Sequence, residues 1–206
     1  MVLLTQGSSA LGLNWTVGTL PKIDTWNSIT YGNGKFVAVT LSSSNAAVSS
    51  DGIIWTPISL PDSFGYRSVT FGNDVFCAVN GGTLSAISND GINWTAHEMP
   101  NIQVFSVSFG NGIFIAIGPS SAVISTDGLN WIPRELPKSS PWISIAYGNG
   151  VFITVEDGGS SVLRSTDGIT WTEHMLPGFA YWFSVTYGKG IFVTIAYNSS
   201  TAAMSQ

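Results

Sequence analysis

The sequence predicts an all-β fold: a five-bladed β-propeller with four antiparallel strands in each blade. Three observations predict it. A tryptophan motif recurs five times, with Trp15, Trp55, Trp94, Trp131 and Trp171 spaced by 40, 39, 37 and 40 residues. A second motif alternates with it: SITYGNGKFVAV at 28–39, SVTFGNDVFCAV at 68–79, SVSFGNGIFIAI at 106–117, SIAYGNGVFITV at 144–155 and SVTYGKGIFVTI at 184–195. No segment shows a helical period of apolar residues, whereas short runs of strand-like alternation recur throughout. Short strands repeated every ~40 residues are the sequence mark of a radial array, with known sizes of roughly four to eight blades.

Each unit justifies four strands in order. The first is the S-[IV]-x-[YF] run, apolar at every second position. Gly-Asn-Gly or a variant then makes a tight hairpin, because Gly and Asn readily take positive φ. The second strand is apolar on both faces, as in Phe36–Val39. A Ser- and Gly-rich loop follows, then a third strand ending in serine (Ser49, Ser88, Ser125, Ser165 and Ser205). Asp-Gly makes the next turn. The fourth strand opens on the repeat Trp and carries Pro57 and Pro133, which an edge strand tolerates. Six residues beyond each Trp a proline (Pro21, Pro61, Pro100, Pro137 and Pro177) ends the unit.

The units are 26–61, 66–100, 104–137, 142–177 and 182–206, with 11–21 completing the last within one domain spanning 1–206. TAAMSQ aligns with NAAVSS as a third strand, and LGLNWTVGTLP reads as a fourth strand lacking its first three. The expectation is therefore a ring in which the N-terminal strand completes the C-terminal blade and removes an open edge. Residues 1–10 would line that blade or fray.

Composition narrows the function. Charged residues are 9% of the chain, aromatic residues 12%, and the net charge is −5. Seven Lys and Arg cannot make the basic stripe that nucleic acid requires. The single cysteine, Cys77, permits no intrachain disulfide and shares the column of Val37, Ile115, Ile153 and Val193, so it reads as core. No apolar run reaches the ~20 residues of a membrane span, so membrane insertion is not expected. The N-terminus lacks the charged and apolar segments of a secretory signal.

The motif S-x-D-G-x-x-W at 49–55, 88–94, 125–131 and 165–171 resembles the Asp-box, or bacterial neuraminidase repeat, with one residue fewer between Asp and Gly. In the first unit Leu11 stands where Asp would be. The resemblance implies that Asp51, Asp90, Asp127 and Asp167 fold back on their own turns, away from any active face. Five blades of this length are also similar to tachylectin-type lectins and to repeats of bacterial and phage surface proteins. That similarity implies a secreted, cell-surface or virion-associated place rather than a cytoplasmic one.

Sialidases, which carry Asp-boxes, are six-bladed and converge three arginines on a carboxylate. Here Arg67, Arg134 and Arg164 fall on a first, a fourth and a third strand, so no catalytic residue is assigned. His97 and His174 occupy equivalent outer-strand positions two blades apart, too distant to share a zinc ion. No metal or other cofactor is expected. Glu156 and Asp157, the one adjacent acidic pair, read as a solvated loop able to hold a cation or a sugar hydroxyl.

The loops joining strand four to the next strand one share a face with those joining strand two to strand three, and both sets vary. Variable loops on a regular scaffold are where binding is expected. Before the first strands stands an aromatic column of Trp26, Tyr66, Trp142 and Trp182, with Phe105 beside Val104 in the third unit. Aromatic faces with polar neighbours suit saccharides. With Phe64 and Tyr181 in the same loops, and Asn45, Asn80 and Asn198 opposite, they form the candidate carbohydrate-binding set; filling the wedges between blades is their other reading. The function expected is a non-enzymatic, multivalent, lectin-like propeller for glycans or glycoconjugates. A protein-interaction scaffold on the same face is the alternative, and a glycosidase ranks behind both.

Overall fold

The computed structural model describes residues 16–205. The chain there is entirely β, as an antiparallel propeller. The first sheet holds β1 (Trp26–Gly32), β2 (Lys35–Thr40), β3 (Asn45–Ser49) and β4 (Thr56–Ser59) in that order. The second holds β5 (Ser68–Gly72), β6 (Val75–Val79), β7 (Leu84–Ser88) and β8 (Thr95–Glu98). The third holds β9 (Ser106–Gly110), β10 (Ile113–Ile117), β11 (Ser121–Ser125) and β12 (Ile132–Glu135). The last is five-stranded: β13 (Trp142–Gly148), β14 (Val151–Ser165), β15 (Thr172–Gly188), β16 (Ile191–Ala196) and β17 (Ala202–Met204).

The described residues thus form four sheets, which corrects the expected count of five blades. The reason lies in β15. Its first part pairs with β14 as the outer strand of the fourth unit, with Val162 opposite His174. It then runs unbroken through Pro177 and Gly178, and its second part pairs with β16 as the inner strand of the fifth unit. The fifth unit therefore continues the fourth sheet. The expected closing strand is also not formed where it is described. β17 pairs with β16 alone, while Thr19 makes a parallel bridge to Ile54 of the first unit. Leu11–Trp15 and residues 1–10 lie outside the described residues.

The turns follow the residues placed in them. Asn33 and Gly34 take φ of 46° and 74°, Asn111 and Gly112 take 49° and 77°, and Asn149 and Gly150 repeat the pair at 49° and 77°. These are the consecutive left-handed residues of a type I′ hairpin. Asp74 and Lys189 accept positive φ in the same setting without being glycine or asparagine.

Inner strands stand side by side: β1 against β5, β5 against β9, β9 against β13, and β13 against the second part of β15. At each joint an aromatic ring lies over the closing glycine of the preceding inner strand. A Cβ at Gly32, Gly72, Gly110 or Gly148 would overlap the ring of Phe71, Phe109, Tyr147 or Tyr187 respectively. Between sheets, the wedge is filled by the outer-strand Trp of the later unit. Trp94 packs with Val37 and Phe76, Trp131 with Cys77 and Phe114, and Trp171 with Ile115 and Phe152. Each buried aromatic ring removes roughly 150–250 Å² from water, so these rings dominate the core.

Candidate functional site

Four aspartates hold the turns that aim the tryptophans. Asp127 Oδ1 accepts the backbone N–H groups of Leu129 and Asn130 at 2.8 and 2.9 Å, and the Ser125 hydroxyl accepts that of Gly128 at 2.9 Å. The Trp131 indole N–H donates to the Gly128 carbonyl at 3.0 Å. Asp51, Asp90 and Asp167 repeat the arrangement. Hydrogen bonds from Ile54 and Ile53 hold the Asp51 carboxyl below its usual range, and Asp90 and Asp167 are lowered by the corresponding N–H donors. At Asp127 burial opposes ionisation but the same donors outweigh it. These acids are committed to the scaffold.

On the opposite face, each loop preceding an inner strand is tied to the loop after the second strand. Asn45 Nδ2 donates to Asp24 at 2.6 Å, and Ser43 adds a bond at 2.8 Å. With the Thr25 N–H, these donors hold the Asp24 carboxyl down to about 2. Asn80 Nδ2 donates to Asp62 at 2.7 Å. In the fourth unit the tie is an ion pair, with Lys138 Nζ 3.0 Å from Glu156 and 3.4 Å from Glu173. Glu156 is 1% exposed and also accepts from the Ser140 hydroxyl and from the Ser161 N–H at 2.8 Å. Burial works against its charge, yet these donors keep its carboxyl below the ordinary range. The expectation of a solvated acidic loop is therefore corrected: Glu156 is a buried structural acid and Asp157 alone faces solvent.

The aromatic column goes to the core. Trp142, Trp182 and Tyr66 are at most 1% exposed, and the indoles of Trp142 and Trp182 donate to the carbonyls of Lys138 and Gly159. Burial, with the Asp62 charge nearby, pushes the Tyr66 phenol up to about 12. Trp26 is half-buried beside a cavity of about 100 Å³ shared with Asn45 and Lys22. In the third unit Val104 takes the buried position, and Phe105 instead receives the Arg67 guanidinium 5.1 Å from its ring centre. A register shift follows Trp26, Trp142 and Trp182 alike, yet Trp26 stays half-buried and Tyr66 is buried ahead of a strand with no such shift, so the packing of neighbouring strands sets the burial. Buried rings of this kind offer no face to a sugar.

The loop aromatics behave differently. Phe64 is 80% exposed, Phe179 69% and Tyr181 58%. Phe179 and Tyr181 meet edge-to-face with centroids 5.8 Å apart, on the ladder where Tyr181 lies opposite Asp157. Asn198 is exposed at φ 47°, whereas Asn45 and Asn80 are occupied by their aspartates. Of the ten candidate residues the structure presents Phe64, Tyr181 and Asn198 openly, and Phe179 joins them.

Other candidate chemistry stays apart. Arg67 precedes β5, Arg134 lies on β12 bonded to the Pro133 carbonyl, and Arg164 is exposed on β14. The His174 ring bonds Thr172, and His97 is half-buried on β8. Burial pushes the Cys77 thiol up, as for an inert core cysteine. Among the described residues no group of three or more His, Cys, Asp or Glu is placed to hold a metal, and no helix is long and apolar enough to cross a membrane.

No protein-family model matches the chain, and no curated protein does. Solved structures do. Virginiamycin B lyase from Staphylococcus aureus superposes with a TM-score of 0.81 at 16% identity, over 90% of this chain and 68% of that one. YCF48 bound to D1 peptide matches at 0.69 and 18%, over 91% and 65%. A chain of the nidogen/laminin complex matches at 0.70 and 10%, over 88% and 75%. At these identities the likeness shows the fold: a β-propeller of repeated blades.

Proposed function

We propose that this chain is a non-enzymatic interaction module that holds a protein partner on its loop face, through the Phe179–Tyr181 pair. The observation that carries this reading is the contrast in burial. Trp142, Trp182 and Tyr66 of the repeated column pack inward, while Phe179 and Tyr181 stay open where the fourth and fifth units meet. Two large rings packed edge-to-face, with Asp157 opposite Tyr181, combine apolar area with a neighbouring charge. That is the composition of a binding hot spot. The superposed propellers include one bound to a peptide and one from a protein–protein complex, which supports the same reading by analogy of fold.

A lectin-like role is the second reading. It is favoured by Phe64, whose ring projects beside the Asp62–Asn80 tie and resembles a sugar-stacking platform. A glycosidase ranks below both, since Glu156 is closed off behind Lys138 rather than facing a cleft.

The test is selection from a displayed random-peptide library, run beside a glycan array. Enriched peptides with a shared sequence, weakened at least tenfold by Tyr181→Ala, support the proposal. Peptides indifferent to that change overturn it, as does glycan binding that a free monosaccharide blocks.

A further inference from the structure

Phe179 and Tyr181 stand two residues apart on β15, with Ala180 between them opposite Gly159. Their ring planes meet at 81° with centroids 5.8 Å apart, so the two rings bound a corner. The corner has a floor. Gly158 turns β14 with φ 79°, and a Cβ there would lie 3.3 Å from the Tyr181 ring and 4.0 Å from that of Phe179. A side chain at that position would crowd the Tyr181 ring; glycine lets both rings rest on the backbone. Away from this floor they are open to solvent.

Asp157 stands beside the corner, opposite Tyr181 in the β14–β15 ladder, and its backbone N–H is anchored on the Pro141 carbonyl at 2.9 Å. Its side chain is exposed and makes no ion pair among the described residues, where the ion pairs belong to Lys138 with Glu156 and Glu173. The chain as a whole carries a net charge of −5. A second exposed ring pair adjoins the first. Phe183 and Tyr197 have centroids 5.8 Å apart, and the Tyr197 N–H donates to the Tyr181 carbonyl at 2.7 Å.

We propose that this corner takes an arginine side chain of a protein partner, carried by a segment that continues over Phe183 and Tyr197. Aromatic faces attract a cation, and Asp157 supplies the full counter-charge. A planar guanidinium lies flat on a ring and still donates two parallel hydrogen bonds to a carboxylate, which an ammonium does not. An apolar side chain in the same place would strip water from Asp157 and return nothing to it. A saccharide would stack on a ring but leave the charge unanswered. The second ring pair gives the residues flanking the arginine a surface to cover, which favours a polypeptide over a free cation. This assignment rests on the loop face being the binding platform and adds which side chain that platform reads.

An NMR titration with N-acetyl-arginine methylamide, run beside its neutral citrulline counterpart, reads the corner directly. The arginine probe should shift the ring protons of Phe179 and Tyr181 and bind about tenfold more tightly than citrulline. Asp157→Asn should remove most of that preference. Asp74→Asn, the same charge change on the β5–β6 hairpin at a position already holding positive φ, should leave it intact. Unmoved ring signals, equal affinity for the two probes, or equal loss in both variants overturn the proposal. Peptides selected on the protein separate it from the broader reading. A shared arginine whose replacement by citrulline weakens binding about tenfold supports both. Enriched peptides that need Tyr181 but share no arginine keep the loop-face reading and overturn this one. With no enriched peptide the loop-face reading falls, and the probe titration still decides the corner.

Discussion

The wedge between the second and third sheets and the wedge after β13–β14 are built from the same repeat and, among the described residues, one holds a tryptophan and the other does not. In the first, Trp131 is 8% exposed, and its indole N–H donates to the Ser85 hydroxyl at 3.1 Å as well as to its own turn. In the second, Val162 stands where Ser85 does, and the described residues line a cavity of about 480 Å³ without supplying a tryptophan to it. The strands differ as well: β5–β6, β6–β7, β9–β10 and β10–β11 pair without a register shift, whereas β13–β14, β14–β15 and β15–β16 each contain at least one. In each filled wedge a blade buries its face against a tryptophan of the next unit. The same dependence, with each repeat burying its face only against neighbours, marks repeat architectures generally.

Emptying the filled wedge is the most direct way to break this comparison. Trp131→Ala should cost about 3–5 kcal/mol, as large aromatic deletions from cores do. At this chain length that is a fall in melting temperature of roughly 10 °C. Urea and thermal melts measure it. A loss below about 1 kcal/mol would mean that the strands, and not the rings, hold the joints, and the contrast between the two wedges would lose its meaning.

Close to the open wedge lies the Lys138–Glu156 ion pair, in which Glu156 is buried and Lys138 is 39% exposed. Glu156 accepts the N–H of Ser161, the residue before Val162. Lys138→Met leaves that carboxylate buried without its cation, which should cost about 2–3 kcal/mol. Adding Glu156→Gln should recover part of the loss, because a neutral amide needs no counter-charge. Denaturant midpoints for the single and double variants sharpen the comparison by separating the ion pair from the filling. If Lys138→Met melts like the wild type, the pair contributes nothing to stability.

A smaller effect comes from the turns that deliver the rings. Asp127→Ala removes the acceptor for two backbone N–H groups and should cost about 1–2 kcal/mol. The turn aspartates and Asp24 have folded pKa values below the unfolded value of about 3.9. The unfolded chain then binds more protons as the solution is acidified. Stability from these groups is fully present above pH ~4 and is lost as pH falls through their folded values, near 2 for Asp24 and lowered for the rest. Thermal melts at pH 7, 4, 3 and 2 should show little change to pH 5 and a steady fall below 4. Asp127→Ala should flatten that fall; an identical acid slope in the variant would remove the aspartate from the account.

Much of this was readable from residue order. Asn33-Gly34 and Asp127-Gly128 fix hairpins by local backbone preference, and Phe36–Val39 fixes a buried strand by pattern, so the repeated strands could be placed without coordinates. What was hidden depends on contacts across the chain. Glu156 looks like a loop acid until Lys138, 18 residues earlier, is brought against it. Trp142 and Trp182 stand just before the S-[IV] runs, where the pattern suits exposure and burial equally, and only the packing around them shows both to be buried. Pro177-Gly178 read as a break between blades, yet β15 passes straight through them.

The smallest expected effect is also the one that separates scaffold from site. Tyr181 and Trp182 are neighbours on β15, 58% and 1% exposed. Successive side chains of a strand point to opposite faces, so one serves solvent and the other the core. Trp182→Ala should therefore cost about 3–5 kcal/mol. Tyr181→Ala, alone or with Phe179→Ala, should stay within about 0.5 kcal/mol of the wild type, as surface changes do. Melting curves for the three variants, recorded with titrations of a selected peptide, place each residue on one side or the other. A Tyr181→Ala protein that melts normally and no longer binds assigns the exposed pair to recognition. One that melts several degrees lower makes Tyr181 part of the packing around Gly158, and the loop face loses its binding platform.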